Sequence, residues 1–436
     1  MIDNSVFNNK KVAFHTLGCK LNFAETSAIG KKMREEGFVK AKAGEQADVC
    51  VINTCSVTDV ADKKCRQAIS RLNRTHPNAV MVVTGCYAQL KPDEIAKMEG
   101  VDLVLGANEK FSVLEYIRDF ENGNKEIVHR NEIKRVKEFK PSCSKDDRTR
   151  YFLKVQDGCD YFCTYCTIPF ARGRSRNATV AETVEMAREA VAQGAREIVL
   201  TGVNIGDFGK STGESFYQLV VALDQIEADV RFRISSIEPN LLTDEIIAYV
   251  AQSKRIMPHF HIPLQSGTNE VLQLMKRKYN RELFAHKVST IKTLLPHAFI
   301  GVDVIVGVHG ETEELFDESC RFIDSLDISQ LHVFTYSERA GTKMLEIEHQ
   351  NKISERKRRS DILHLLSDKK TKAFYNSQIG SEYPVLWESR TDGENMVGFT
   401  SNYVKVERAL DKNKVNKVES VVLGEWNEEK TALTIQ

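Results

Sequence analysis

Three cysteines stand close together in Cys159-Asp-Tyr-Phe-Cys163-Thr-Tyr-Cys166. The spacing, C-x3-C-x2-C, gathers three thiolates into one short loop, enough to wrap one corner of a cuboidal iron–sulfur cluster. A cube has four irons, so one iron stays open to a ligand the protein does not supply. Two plainer readings stand beside this one. A zinc knuckle wants a fourth Cys or His at close spacing, and none follows before His259. Buried free thiols need no partner at all.

A second set, Cys19, Cys55 and Cys86, is scattered along the chain but shares a position. Each follows the end of a strand-like run: Thr16-Leu17-Gly18-Cys19, Asn53-Thr54-Cys55 and Thr84-Gly85-Cys86. In an open parallel sheet the loops after the strand ends converge on one edge, where ligands bind. Topology therefore predicts that these three meet and hold a second cluster, again with one open iron. Each also precedes a helical stretch, whose N-terminal N–H groups favour thiolate charge. Cys50, Cys65, Cys143 and Cys320 have no such partners and read as small apolar residues or isolated thiols.

The elements that must position these residues follow from hydrophobic period. Runs at 11–16, 48–53, 79–84 and 101–105 read as short buried strands. Helical patterns lie between them, such as 58–73, and Pro92 suits a helix start. Strand–helix alternation predicts a wound parallel sheet. A polar stretch at 122–149 reads as linker. Six more strand-like runs then alternate with helices (152–156, 197–201, 232–236, 259–263, 300–306 and 331–335). They predict a partial, six-repeat β/α barrel, short of the usual eight. Past residue 373 the texture changes to short β-like runs with Gly, Asn and Asp between, as in a small antiparallel barrel. The expected division is 10–125, a linker at 126–148, then 149–372 and 373–436.

Composition fits this α/β reading. The chain has 436 residues, 42% hydrophobic and 28% charged, with a formal net charge of zero. No apolar run is long enough to span a bilayer, and no signal-like apolar segment opens the chain. A cytoplasmic monomer with no membrane partner is the expectation. In a reducing compartment, clustered cysteines more often bind metal than form disulfides. Zero net charge argues against indiscriminate nucleic-acid binding but leaves room for local basic patches. Two exist: 134–150, with Lys134, Arg135, Lys137, Lys140, Lys145, Arg148 and Arg150, and 352–372, where Lys and Arg outnumber Asp and Glu.

The Cys159–Cys166 segment resembles the radical S-adenosylmethionine (SAM) superfamily, and nearly the whole chain resembles its methylthiotransferase family. The resemblance is carried by Thr16-Leu17-Gly18-Cys19-Lys20-Leu21-Asn22, Ile52-Asn53-Thr54-Cys55 and Val83-Thr84-Gly85-Cys86-Tyr87-Ala88-Gln89. It continues through Val155-Gln156-Asp157-Gly158-Cys159 to Cys166, Ile168-Pro169, Arg172-Gly173, Leu200-Thr201-Gly202-Val203-Asn204 and Ile262-Pro263-Leu264-Gln265-Ser266-Gly267. The C-terminal Gly398-Phe399-Thr400-Ser401-Asn402-Tyr403 resembles a TRAM domain, an RNA-binding β-barrel. Thr16 to Asn22 followed by Glu25-Thr26 looks most like the branch acting on threonylcarbamoyladenosine in tRNA. The neighbouring branches act on isopentenyladenosine in tRNA or on a ribosomal protein. One departure is Val306-Gly307-Val308-His309-Gly310-Glu311-Thr312, where the family commonly has Phe-Pro before the Gly-Glu-Thr; it puts the local loop geometry in question.

The resemblance implies two 4Fe–4S clusters and SAM used twice: once as methyl donor to sulfur at the Cys19/Cys55/Cys86 cluster, once cleaved at the Cys159/Cys163/Cys166 cluster to make a carbon radical. It implies a tRNA anticodon loop as partner and leaves the sulfur donor and one-electron reductant unidentified. Gly202 and Asn204, at a barrel strand end, and Gln265 and Ser266, after another, are the expected SAM contacts. Gln156 and Asp157 are expected to orient the cluster loop. RNA recognition is expected from Arg172, Arg174 and Arg176, from the basic 352–372 helix, and from the C-terminal barrel with Tyr383, Trp387, Phe399, Tyr403, Lys405 and Arg408. A reading of another class, a non-enzymatic iron–sulfur RNA-binding regulator, is disfavoured because such a sensor needs no SAM barrel.

Overall fold

The structure, a computed structural model, describes residues 7–144 and 149–436. Lys145 and Arg148 lie outside the described residues. The N-terminal strands are β1 (Lys11–Thr16), β2 (Val39–Lys40), β3 (Val49–Thr54), β4 (Val80–Gly85), β5 (Leu103–Leu105) and β6 (Val128–His129). They form one parallel sheet in the order β2-β1-β3-β4-β5-β6. Every residue of β3 is buried, as expected of a parallel strand covered by helices on both faces. Val49 and Val51 pack to one side with Ile29 and Met33; Cys50 and Ile52 pack to the other with Cys65, Ile69 and Tyr87. This explains Cys50 and Cys65 as core residues. The helix Asp59–Thr75 begins under a Thr58 cap, whose side chain accepts from the Ala61 N–H.

The stretch expected to be linker is instead partly built into sheets. Its β6 extends the N-terminal sheet beside β5. Its β7 (Ser142–Cys143) pairs antiparallel with β8 (Tyr151–Lys154). Local sequence missed both because two-residue edge strands carry no period.

The barrel strands continue as β9 (Glu197–Thr201), β10 (Arg231–Ile234), β11 (His259–Gln265), β12 (Phe299–Val306) and β13 (Gln330–Thr335). From β8 to β13 they form six parallel strands, in one group β10-β9-β8 and another β11-β12-β13. A parallel bridge between Ser236 and His261 joins the groups, and another, between Phe232 and Ile256, ties β10 to the segment leading into β11. Outward residues of each strand, such as Leu153, Ile198, Leu200, Phe232, Ile262 and Val302, share the main core with the surrounding helices. The alternate residues are unusually polar: Lys154, Glu197, Thr201, Arg231 and Arg233 are all buried. In the Val306–Thr312 loop, Gly307 takes φ +76° and its N–H donates to the buried Glu311 carboxylate at 2.6 Å. The loop is ordered by its own carboxylate.

The C-terminal strands β14 (Glu382–Asp392), β15 (Asn395–Thr400), β16 (Lys405–Ala409), β17 (Val418–Trp426) and β18 (Leu433–Ile435) close a barrel in the order β14-β15-β16-β18-β17. Trp387, fully buried, centres its core with Val385, Met396, Val406 and Leu423. This barrel is bolted to the β/α strands by buried charge. Glu197 receives Arg231 at 2.6 Å and Arg233 at 3.0 Å. The same two guanidiniums donate to the carbonyls of Pro384, Phe399, Thr400 and Ser401.

Candidate functional site

The second cysteine set is brought together at the strand ends. Cys19 is the N-cap of the helix Lys20–Glu35, Cys55 follows β3, and Cys86 opens the helix Cys86–Leu90. Gly18 takes φ +100°, and a side chain there would meet the Cys55 Cβ at 2.7 Å and its Sγ at 3.0 Å. The first turn can pass this close to the second cysteine only as glycine. Gly85 takes φ +99°, with Asn53 Oδ1 and the Thr54 carbonyl oxygen each 2.5 Å from where a Cβ would lie. Asn22 stitches the turns together: its amide donates to the Leu17 carbonyl at 2.7 Å and the Thr54 carbonyl at 3.0 Å. Burial pushes the Cys55 thiol up to about 12, with Cys86 and Cys19 adding repulsion. Cys55 and Cys86 are buried and Cys19 stands exposed at the rim; three thiols gathered in this way suit a metal, which displaces their protons and supplies the missing positive charge.

The Cys159–Cys166 loop is pinned from several sides. Thr164 bonds to the Met275 and Leu274 carbonyls, and its own carbonyl accepts from Met344 N–H at 2.9 Å. Arg277 donates to Cys163 Sγ at 3.0 Å and is ion-paired with Glu238. The backbone N–H groups of Tyr161 and Ile168 point at Cys159 Sγ (3.5 Å) and Cys166 Sγ (3.4 Å). Burial pushes Cys159 and Cys166 up to about 12, and like-charged cysteine neighbours push the same way. Arg277, flanked by Lys276 and Lys278, and Glu238 were missed by sequence reasoning, since nothing in the local sequence sets either apart; only the fold places them at the loop.

Gln156 couples this loop to the Gly202–Asn204 turn. Its Nε2 donates to the Asp157 and Gly158 carbonyls (3.0 and 2.8 Å), while its Oε1 accepts from the N–H groups of Val203 and Asn204, both at 2.9 Å. Gly202 is filled by protein: a Cβ would strike Ile205 at 2.7 Å and Gln156 Oε1 at 2.9 Å. Its role is close packing. Asn204 differs, because both of its amide atoms are buried without a hydrogen-bond partner. Gln265 likewise leaves its buried Oε1 unpaired and holds a strained φ of +66°. Ser266 is buried and 3.5 Å from Thr268 Oγ1. Unpaired buried amides are costly unless a ligand completes them. Those at the ends of β9 and β11 therefore fit a polar cofactor there.

A buried ionic network joins the two cysteine sets. The helix Ile168–Arg172 starts just past Cys166. Arg172 reaches Asn22 Oδ1 at 2.6 Å and Glu25 and Asp157 at about 3 Å. Glu25 also holds Lys110 (2.5 Å) and Lys154 (2.9 Å); Asp157 holds Lys154 (2.7 Å) and Arg176 (3.1 Å). Burial opposes the charge of both carboxyls, but Arg172 and the lysines hold Glu25, and Lys154, Arg172 and Arg176 hold Asp157, well below the usual carboxylate range. A second tie lies across the site, where Arg339 binds Ser56 Oγ (2.8 Å), Asp59 (2.6 Å) and Asp62 (2.8 Å) beside Cys55.

This corrects the expected RNA contacts. Arg172 and Arg176 are buried in the network, with no face for phosphate. Arg174 stays open, its side chain 62% exposed. Tyr403 is clamped at the domain seam, 4.6 Å from the His259 ring and bonded to Arg150; Phe399 stacks on it at 4.9 Å. Trp387 is core. Lys405 lies 3.5 Å from Asp392 and is partly exposed. On the helix Ile353–Asn376, Arg356 and Arg359 are buried and paired with Glu338, Glu311 and Glu313, and Arg358 binds Glu355. Arg356 and Arg359 are internal glue, while Lys352, Lys357 and Arg358 stay exposed.

The match to known proteins is extensive. Residues 11–106 match a group described as "Uncharacterized protein family UPF0004", and residues 153–323 match the radical SAM superfamily. The chain is 41% identical to "Threonylcarbamoyladenosine tRNA methylthiotransferase MtaB" of Bacillus subtilis, over 94% of this chain and 93% of that one. It belongs to the radical SAM methylthiotransferase family. The Aquifex aeolicus protein of the same description is 38% identical over 91% and 96% of the two chains. A Bacteroides fragilis "tRNA-2-methylthio-N(6)-dimethylallyladenosine synthase" is 31% identical over 90% and 88%. Among solved structures, the radical SAM methyltransferase TsrM from Kitasatospora setae shares the fold at 13% identity. Its TM-score is 0.57, over 75% of this chain and 73% of that one. The enzymes of this methylthiotransferase family use SAM and 4Fe–4S clusters, and the crowded thiols and unpaired amides described above fit those groups. Among the described residues no helix is long and apolar enough to cross a membrane.

Proposed function

We propose that this enzyme attaches a methylthio group to the adenine ring of threonylcarbamoyladenosine beside the anticodon of tRNA, in the cytoplasm. The observation that carries the substrate is the higher identity to relatives described for threonylcarbamoyladenosine than to those described for dimethylallyladenosine. In this reading Cys159, Cys163 and Cys166 hold one cluster, and Cys19, Cys55 and Cys86 hold the other. With SAM these groups supply one-electron chemistry and sulfur for a carbon that has no acidic hydrogen. The residues do the rest. Arg277 donates to Cys163 Sγ and so favours its thiolate form. Gln156 fixes the cluster loop against the turn that presents Asn204. Asn204 and Gln265 bind the polar groups of SAM, with Ser266 beside them. Gly18 and Asn22 set the Cys19 and Cys55 turns against each other. The Arg172 and Arg339 ties keep the N-terminal strand ends on the barrel.

The test is mass spectrometry of tRNA nucleosides from a deletion strain. The expected outcome is loss of the methylthio form of threonylcarbamoyladenosine with accumulation of the unthiolated nucleoside. Unchanged tRNA nucleosides, with a ribosomal peptide altered instead, would overturn the assignment; so would loss confined to the isopentenyl-type nucleoside.

A further inference from the structure

An open cleft of about 700 Å³ runs beside the site. Its walls are Gln89–Leu90 from the helix that Cys86 opens, the connector at 130–134, and Phe162, Phe170 and Arg174 around the Cys159–Cys166 loop. One wall thus continues each cysteine set. Asn204, Gln265, Glu238 and Arg277 are absent from its lining, so the cleft is distinct from the residues suited to SAM.

Two aromatic rings stand open in it. Phe162 is 41% exposed and Phe170 51%, meeting edge to face at 6.0 Å. Phe162 carries φ +50°, a conformation a bulky residue rarely adopts without cause. The Arg174 guanidinium lies 5.2 Å from the Phe162 ring. Arg130 and Lys134 complete a cationic rim, with Glu132 in the lining and Asp160 paired to Arg174. The exposed pairs Arg174–Asp160 and Lys134–Glu132 are weak and free to exchange for phosphate. The whole chain is formally neutral, so this positive, ring-lined cleft is a local feature. Open rings for bases beside cations for the backbone are what unpaired nucleic acid needs.

We propose that this cleft is a stacking subsite for an unpaired nucleotide adjoining the modified adenosine, with Phe170 and Phe162 taking the base and Arg130, Lys134 and Arg174 the phosphates. The inference rests on the RNA reading above and deepens it.

The experiment uses the reconstituted full chain and a synthetic anticodon stem-loop bearing threonylcarbamoyladenosine, with 2-aminopurine at a flanking unpaired position. Phe170→Ala should weaken stem-loop binding by about five- to 150-fold, the range for loss of one base–aromatic stack, and abolish the quenching of 2-aminopurine. Phe170→Trp should keep both. Arg174→Ala should lower the slope of log affinity against log salt by about 0.7, one phosphate contact on a single strand. Iron content is measured alongside. Should Phe170→Ala lose iron, Phe170→Leu, with apolar bulk but no π face, replaces it with the same expected loss. Wild-type affinity and quenching in the Phe170 variant overturn the subsite alone. A raised KM for SAM with RNA binding intact overturns it in favour of a cofactor pocket. If the wild-type chain neither binds nor modifies the stem-loop, the RNA reading fails and the subsite with it.

Discussion

At the residue scale, Gly18 is constrained twice over. Any side chain there meets Cys55 at under 3 Å and must also adopt φ +100°. Gly18→Ala is therefore expected to disturb the Cys19–Cys55 pair without touching the Cys159–Cys166 loop. Iron should drop from roughly eight to roughly four per chain by cubane stoichiometry, with SAM cleavage retained and sulfur insertion lost. Cys55→Ala should behave alike, since it removes a thiol from the same set; iron assay and quantitation of deoxyadenosine check both. Unchanged iron in Cys55→Ala would remove it from the ligand set. The cysteines themselves were legible because thiolate spacing and strand-end position carry chemistry directly. The arginines were not. Arg172, Arg174 and Arg176 alternate along the chain and read alike in sequence, yet Asp157 and Glu25 bury the first and last and leave the middle one in water. Burial of a charge depends on a distant carboxylate, and Glu25 lies far upstream.

At the element scale, hydrophobic period placed every long strand to within a few residues, because each is buried on at least one face. It failed on the two-residue β2, β6 and β7, whose pairing comes from neighbours. It also overstated the RNA-binding surface of the C-terminal barrel, because alternation along a strand does not tell an exposed face from one docked on another domain. That docking yields a prediction. Glu197→Gln leaves Arg231 and Arg233 buried with their countercharge gone, which typically costs about 3–5 kcal/mol. The expected result is a C-terminal barrel released by mild proteolysis while β1–β5 stay resistant. Loss of thermal stability across the whole chain, with no selective release, would show that the seam is not an independent joint.

For the whole molecule, both seams close on carboxylates held below their ordinary range: Glu25 and Asp157 at one, Glu197 at the other. Such groups stabilise the fold above the unfolded carboxylate pKa, about 4. That contribution is lost as pH falls toward the folded values, because only the unfolded chain then takes up protons. His259, buried neutral and depressed well below 6.5, adds a loss in the same direction beginning nearer neutrality. Thermal unfolding followed from pH 7 to pH 4 should show a falling Tm; in Glu25→Gln the fall below pH 5 should be shallower, from a lower starting value. A flat profile would contradict the seam description.

The network around Arg172 is unbalanced: Glu25 and Asp157 face Lys110, Lys154, Arg172 and Arg176. Burial leaves this surplus of cations little water to offset it, and beyond the carboxylates the groups whose negative charge would bear on Arg172 are Cys86 and Cys19. An iron–sulfur centre at the N-terminal strand ends would then be a keystone. Its anionic thiolates would offset the surplus of cations that joins sheet to barrel.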